Sequence, residues 1–122
     1  PPARALAIPK AQHFAEKIHA YTHIWTDREN KRSKDLVDLV VLIERGNLDP
    51  EAVQQALIET FRRRKRHPLP SNLQPPPASW AREFPSMAAE AGASTLDVNS
   101  AFKALDGFWR KHGLGASEPV SR

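Results

Sequence analysis

The chain has 122 residues, of which 40% are hydrophobic and none is cysteine, and its 18 Lys and Arg outnumber 14 Asp and Glu for a net charge of +4. This length supports one modest core, and the lack of cysteine excludes disulfides and thiolate metal sites. No stretch approaches the roughly 18–20 apolar residues of a membrane span, and the N-terminus lacks the apolar run of a secretory signal. We therefore expect a cytoplasmic protein with no membrane partner.

Two helices are predicted in the first part of the chain. The first follows Pro9 and has an apolar arc, formed by Ala11, Phe14, Ala15, Ile18, Tyr21 and Trp25. Its opposite arc is polar; there His19 and His23 have the spacing of a metal pair but no third ligand, so we expect solvated surface histidines. The second helix begins near Ser33, a favoured N-cap, and is apolar on nearly all sides until Gly46. Such a helix is expected to be central to its domain.

Three more helices complete the prediction. Asp49-Pro50-Glu51 is a strong start signal for a third helix, which runs into a basic segment. Residues 67–79 contain five prolines and are expected to be extended. Helical spacing resumes at Trp80 up to Gly92, and a last helix begins around Ser94 and Asp97. The sequence therefore predicts an all-α fold, a single helical domain of about five helices over residues 1–112, with a disordered tail over residues 113–122.

Charged residues interrupt the first two helices where apolar residues are expected. Lys17 falls at the border of the apolar arc, one turn before Tyr21, either at the rim of a pocket or covering Tyr21 with its methylene groups. Asp38 interrupts an otherwise apolar run, and a buried carboxylate without a partner costs several kcal/mol. It must be paired, coordinated or at a cleft. A surface ion pair between Lys34 and Asp38, with Asp35 stabilised by the helix dipole, is the simplest alternative.

Together these residues suit a nucleotide site. The set supplies cations for phosphate oxygens and carboxylates for Mg²⁺ or for activating a hydroxyl; its members are Lys17, Arg32, Lys34, Asp35 and Asp38. A separate basic run ends the third helix, with Arg62, Arg63, Arg64, Lys65 and Arg66. This run favours contact with nucleic acid, although basic residues are also favoured at a helix C-terminus by its dipole.

Two phrases carry a resemblance to a known family. AEKIHAY (residues 15–21) and RSKDLVDL (residues 32–39) resemble the third and fourth motifs of the AbiEii/AbiGii-type nucleotidyltransferase toxins. The LDP at residues 48–50, the HPLP at 67–70 and the PPP at 75–77 are also similar to members of that family. The resemblance covers roughly residues 1–114.

The resemblance implies a function and roles for residues. The family transfers a nucleotide from an NTP with Mg²⁺, some members modify the acceptor end of tRNA, and a cognate antitoxin usually restrains the activity. It implies that Lys17 binds nucleotide phosphates and acts in catalysis, that Asp35 is a catalytic carboxylate, and that Arg32, Lys34 and Asp38 shape and neutralise the same site. Growth arrest or phage defence is the implied outcome.

One part of the family pattern is absent. The first motif, a Gly-Ser turn followed by an Asp-x-Asp element, carries the principal metal-binding acids and does not occur in this sequence. We therefore expect Mg²⁺ to be held mainly by residues outside this chain, and little activity from the chain alone. Because it also starts on Pro1 without methionine, we interpret it as the C-terminal half of a nucleotidyltransferase-fold protein whose N-terminal half supplies a mixed sheet.

Two alternatives of other classes remain open. In the first, the chain is a non-catalytic helical interaction module, and its charged cluster only forms ion pairs. In the second, it is a small nucleic-acid-binding protein that uses the run from Arg62 to Arg66. The sequence does not specify which NTP or which acceptor would be used.

Overall fold

A computed structural model describes residues 9–22, 33–65 and 67–115 of the chain. These residues form five α-helices, which we name α1 (Lys10–Thr22), α2 (Ser33–Arg45), α3 (Pro50–Arg64), α4 (Phe84–Ala91) and α5 (Val98–Lys111). No strand occurs in these three described ranges. The all-α prediction and the predicted number of helices are confirmed. Trp25, His23, Arg32 and Arg66 lie outside the described residues.

Helix α1 packs against both α2 and α3. Of its predicted apolar arc, Phe14, Ala15, Ile18 and Tyr21 are buried and Ala11 is partly buried. The prediction of a solvated polar arc is wrong for His19, which is only 8% exposed. That arc faces α3: the Gln12 amide donates a 3.0 Å hydrogen bond to Thr60 Oγ1, and the ring of His19 lies 4.9 Å from that of Phe61. The polar side of α1 therefore forms a second helix–helix interface instead of a face turned towards solvent.

Helix α2 is the centre of the domain, as predicted, because it contacts α1, α4 and α5. Leu36, Leu39 and Val40 on α2 are fully buried. The helix ends at Gly46, where a Cβ atom would lie 2.4 Å from the carbonyl oxygen of Leu42, a distance that no larger residue tolerates. Lys10 Nζ donates to the Gly46 carbonyl at 3.1 Å. A cation from α1 thus binds the negative end of the α2 dipole.

Helix α3 begins at the predicted start signal. The Asp49 side chain accepts a hydrogen bond of 3.2 Å from the backbone N–H of Glu51, and Pro50 occupies the first turn. Val53 and Leu57 are buried on its inner side. Lys65 ends the helix in a left-handed conformation with φ of 52°. Arg62, Arg63 and Arg64 therefore occupy the last turn of α3, where the helix dipole favours cations.

The proline-rich segment after α3 has no helix or strand from residue 67 to residue 77 and lies on the helices, whereas the predicted extended range is wrong for Ala78 and Ser79, which are helical. Tyr21 Oη donates to the Gln74 carbonyl at 2.9 Å, and Trp109 Nε1 donates to the Ser71 carbonyl at 3.0 Å. A short 3₁₀ helix, Ala78–Ala81, follows and buries Trp80. The single helix predicted from Trp80 to Gly92 is therefore two helices in the structure, the 3₁₀ helix and α4. Pro85 lies in the first turn of α4, and because it has no backbone N–H it cannot form the α-helical hydrogen bond to the preceding turn.

The last helix and the residues after it close the domain. The Asp97 side chain caps α5 by accepting from the backbone N–H of Ser100 at 2.9 Å. Beyond α5, Leu114 is 5% exposed, and Gly115 exchanges two 3.0 Å hydrogen bonds with the side-chain amide of Gln54. Leu114 and Gly115, near the start of the predicted disordered tail, are thus packed on the domain, whereas Gly113 is exposed. Residues 116–122 lie outside the described residues.

Candidate functional site

Lys17, Asp35 and Asp38 form one charged cluster where α1 faces the first turns of α2. Lys17 Nζ lies 3.2 Å from Asp35 Oδ1 and 2.8 Å from Asp38 Oδ2. The Asp35 side chain is only 3% exposed, whereas those of Lys17 and Asp38 are 24% and 26% exposed. We call these three residues the lysine–aspartate cluster. It has one buried acid and an edge that solvent reaches.

Local sequence explains why the three side chains meet. Asp35 and Asp38 are three residues apart, so both project from the same side of α2. Asp35 lies in the first turn, where the positive end of the helix dipole stabilises an anion. Lys17 is on the side of α1 that packs on α2. The ammonium group therefore inserts between two carboxylates that α2 already holds in place.

The electrostatics of the cluster keep Lys17 charged. Burial alone would lower the pKa of Lys17, but hydrogen bonds to Asp38 and Asp35 and the charges of both carboxylates outweigh burial and raise that pKa above its ordinary value of 10.5. The expectation that Asp38 must be satisfied is confirmed, since Lys17 pairs with it. The alternative pair of Asp38 with Lys34 is not among the ion pairs between described residues, and Lys34 is exposed.

The described residues of the basic run lie at the end of α3. At the end of α3, Arg62 pairs with Glu59 in the same helix, whereas Arg63 and Arg64 both reach Glu16 on α1, with the closest approach 2.6 Å from Arg64 to Glu16 Oε1. These three arginines remain between 48% and 69% exposed. Lys65 is exposed at the helix end. Arg32 and Arg66 lie outside the described residues, so neither is placed relative to the cluster.

The lysine–aspartate cluster does not fit Mg²⁺ as it stands. Mg²⁺ needs near-octahedral oxygen ligands, but here an ammonium group already lies between the two carboxylates. Within the three described ranges, no group of three or more His, Asp or Glu is arranged to hold a metal ion. What the lysine–aspartate cluster offers is an ammonium next to carboxylates, which can exchange a carboxylate partner for a phosphate oxygen.

The walls of a cleft near the end of α1 were not predicted from the sequence, and Lys17, for which a pocket rim was one predicted position, is not among its described lining residues. The cleft has a volume of about 390 Å³ and lies between the end of α1 and the proline-rich segment; its walls include Tyr21, Thr22, His67, Asn72, Gln74, Pro76 and Trp80. Thr22 Oγ1 donates to the Ile18 carbonyl at 2.8 Å, so it accepts from His67 Nε2, also at 2.8 Å. The signal in the sequence was Tyr21, one turn after Lys17, but the opposite wall comes from residues far along the chain.

The fold and the cluster define a class of protein, an all-α domain in which a lysine of one helix holds two acids at the start of a central helix. The comparisons with known proteins go one step further. Residues 1–109 match the family model described as nucleotidyl transferase AbiEii toxin, type IV toxin–antitoxin system. The chain belongs to this family, as the resemblance predicted. No curated protein and no solved structure matches it. In the part of the chain that the structure describes, no helix is long and apolar enough to cross a bilayer.

Proposed function

We propose that this chain is the C-terminal portion of a nucleotidyltransferase toxin that transfers a nucleotide from an NTP to an RNA or protein acceptor, with tRNA as the candidate. Family membership supports the toxin–antitoxin role. The lysine–aspartate cluster is the observation that supports the roles of individual residues, because Lys17 and Asp35 come from the two family-like phrases and are 3.2 Å apart. A cognate antitoxin is the proposed protein partner.

In this proposal Lys17 and Asp35 act in the transfer itself. The acceptor oxygen forms a bond to the α-phosphorus of the NTP, the bond to the bridging oxygen breaks, and pyrophosphate leaves. Lys17 turns from one carboxylate towards the phosphate oxygens and offsets their charge. Asp35, held in the first turn of α2, accepts the proton of the acceptor hydroxyl. Asp38 retains Lys17 close to the site between turnovers, and Arg32 and Lys34 contribute further positive charge.

The metal is assigned to another part of the protein. Mg²⁺ offsets charge on the triphosphate during such transfers, and the proposal places its principal ligands in an N-terminal segment outside these 122 residues. The 122-residue chain by itself is then expected to transfer little or no nucleotide. Addition of the N-terminal segment should restore transfer.

The experiment is label transfer by the full-length protein, incubated with tRNA, Mg²⁺ and each labelled NTP in turn. Lys17→Ala and Asp35→Asn should each reduce the rate by about a hundredfold or more, the range seen when a charge-stabilising or acid–base group is removed. Lys103→Ala and Glu90→Ala, at exposed positions away from the cluster, are matched controls. Undiminished transfer by a folded Lys17→Ala or Asp35→Asn protein would contradict the assigned roles.

The basic end of α3 supports a second, smaller proposal, which is contact with the RNA acceptor. Arg62, Arg63 and Arg64 have ion-pair partners, yet each keeps about half or more of its side chain exposed. Phosphates compete with surface carboxylates for such groups. A filter-binding titration of tRNA against salt is the test. Replacing Arg62 and Lys65 by Gln should weaken binding and flatten the salt dependence, and unchanged binding would leave this surface with a purely structural role.

A further inference from the structure

We infer that the cleft between Tyr21 and the proline-rich segment binds the base of the NTP whose phosphates Lys17 contacts. This inference rests on the proposed function and deepens it by assigning the part of the substrate that the lysine–aspartate cluster does not hold. The two sites are neighbours on α1. Lys17 and Tyr21 are four residues apart, so they lie on the same side of the helix, about 5–6 Å apart at their Cβ atoms.

The size and walls of the cleft suit a flat, uncharged group. Its volume of about 390 Å³ lies at the small end of the range for ligand pockets, roughly 300–1,000 Å³. None of the described lining residues is an Asp, Glu, Lys or Arg. Among these residues no Lys or Arg is present to offset the charge of a triphosphate, whereas the apolar wall, formed mainly by proline rings, suits the flat face of a base. The cleft and Lys17 together thus match an NTP, which has an uncharged and a charged end.

The walls are fixed before any ligand arrives. Tyr21 and Trp80 are 7% and 4% exposed, and their ring centroids lie 5.8 Å apart in an edge-to-face arrangement. The Tyr21 hydroxyl is bonded to the Gln74 carbonyl. Because both walls are tied to each other, the cleft does not have to form at a cost in entropy when a ligand binds.

Two exposed side-chain amides at the edge of the cleft can give it specificity for one base. The side chains of Asn72 and Gln74 are exposed at its edge, and an amide offers both donors and an acceptor to the edge of a base. Neither side chain belongs to the core. They can therefore be changed without removing the buried contacts of Tyr21 and Trp80.

The test measures binding to the full-length protein of ATP, GTP, CTP, UTP and inorganic tripolyphosphate, which has phosphates and no base. The double variant Asn72→Ala/Gln74→Ala should raise the Kd of the preferred NTP about threefold to tenfold per lost hydrogen bond and leave the Kd of tripolyphosphate unchanged. Asn72→Trp, which fills the cleft, should raise the NTP Kd more than tenfold. The preference among the four bases should shrink in both.

Controls and opposing outcomes separate this inference from the proposed function. Gln55→Ala and Asn99→Ala, exposed on α3 and α5, should change nothing, whereas Lys17→Ala should weaken NTP and tripolyphosphate alike. If Lys17→Ala abolishes label transfer but the cleft variants bind every NTP normally, the inference fails and the proposed function stands. If the cleft variants raise only the KM for tRNA, the cleft holds the acceptor's base and the inference is overturned. If the full-length protein binds no NTP, both fail.

Discussion

Two ion-pair clusters meet on neighbouring residues of α1, and they differ in composition and burial. Lys17 holds two acids at the start of α2, while Glu16 holds two arginines at the end of α3. In the first cluster, the Asp35 side chain is 3% exposed. In the second, every side chain is between 31% and 53% exposed. We call the second the glutamate–arginine cluster.

Burial decides how much each ion pair contributes to stability. Exposed pairs are worth little because water and salt screen them. A buried acid that loses its partner pays the cost of desolvation. The lysine–aspartate cluster should therefore dominate both stability and function, and the glutamate–arginine cluster should fasten α3 to α1 weakly and leave its arginines accessible.

The largest expected effect comes from Lys17→Ala. It removes the Lys17 ammonium from beside the buried Asp35, and the free energy of unfolding should fall by about 2–4 kcal/mol, less than for a buried charge that is left with no partner at all. Urea unfolding measures it, with Lys103→Ala as control. The double variant Lys17→Ala/Asp35→Asn should recover part of the loss. If Lys17→Ala lowers the free energy of unfolding no more than Lys103→Ala does, the lysine–aspartate cluster does not dominate stability and the prediction is wrong.

A smaller effect should separate the two acids within the lysine–aspartate cluster. Asp35→Asn should cost about 1–3 kcal/mol, because a buried hydrogen-bonded charge is lost, and Asp38→Asn about 1 kcal/mol or less. The difference follows from 3% against 26% exposure. Thermal and urea unfolding of both variants give the comparison. Equal losses would mean that exposure does not decide the strength of these pairs.

Alkaline pH should affect one cluster only. The folded-state pKa of Lys17 is raised above 10.5, so its contribution is fully present below pH 10.5 and is lost as pH rises through the folded pKa. Wild type should therefore lose stability in this range more steeply than Lys17→Met, which has no group to titrate. Unfolding measured between pH 9 and pH 12 tests this. Parallel curves for the two proteins would contradict it.

The smallest effect should come from Glu16→Gln in the glutamate–arginine cluster. Burial alone would raise the pKa of Glu16, but its bonds to Arg64 and Gln12 and the charges of both arginines lower it below 4.5. Its contribution is thus present above about pH 4.5 and is lost as pH falls through the folded pKa. At neutral pH the loss should be under about 1 kcal/mol and should shrink in 1 M salt. A salt-independent loss would count against a surface pair.

Local signals predicted most of the fold. Ser33, the Asp49-Pro50 pair and Gly92 mark helix ends in the sequence, and the structure has helices that begin or end there. These signals depend on the backbone conformation of a few adjacent residues. They can therefore be recognised in the sequence without knowing the tertiary contacts. The central place of α2 also followed from its sequence, since a helix that is apolar on nearly all sides has to be covered on those sides.

What the sequence did not predict depends on contacts between distant segments. His19 was placed in solvent because its neighbours on the helix are polar, but Thr60 and Phe61 of α3 lie against that arc. Asp38 was known to need a partner, and the partner came from α1, across a link outside the described residues. The cleft required residues 67–80 to fold back onto Tyr21. The spacing of apolar residues predicts which face of a helix is buried, but it does not predict which other segment packs against that face.

The pairing of Gln54 with Gly115 has a consequence for motion. The side-chain amide of Gln54 forms hydrogen bonds with both the N–H and the C=O of Gly115, as the backbone of a neighbouring strand would. A Cβ atom at Gly115 would lie 2.4 Å from the Pro70 carbonyl oxygen. Residue 115 therefore presses on the same proline-rich segment that forms a wall of the cleft. The hydrogen-exchange rate of a single amide, that of Gly115, should then report how often residue 115 separates from Gln54 on α3 and uncovers this segment.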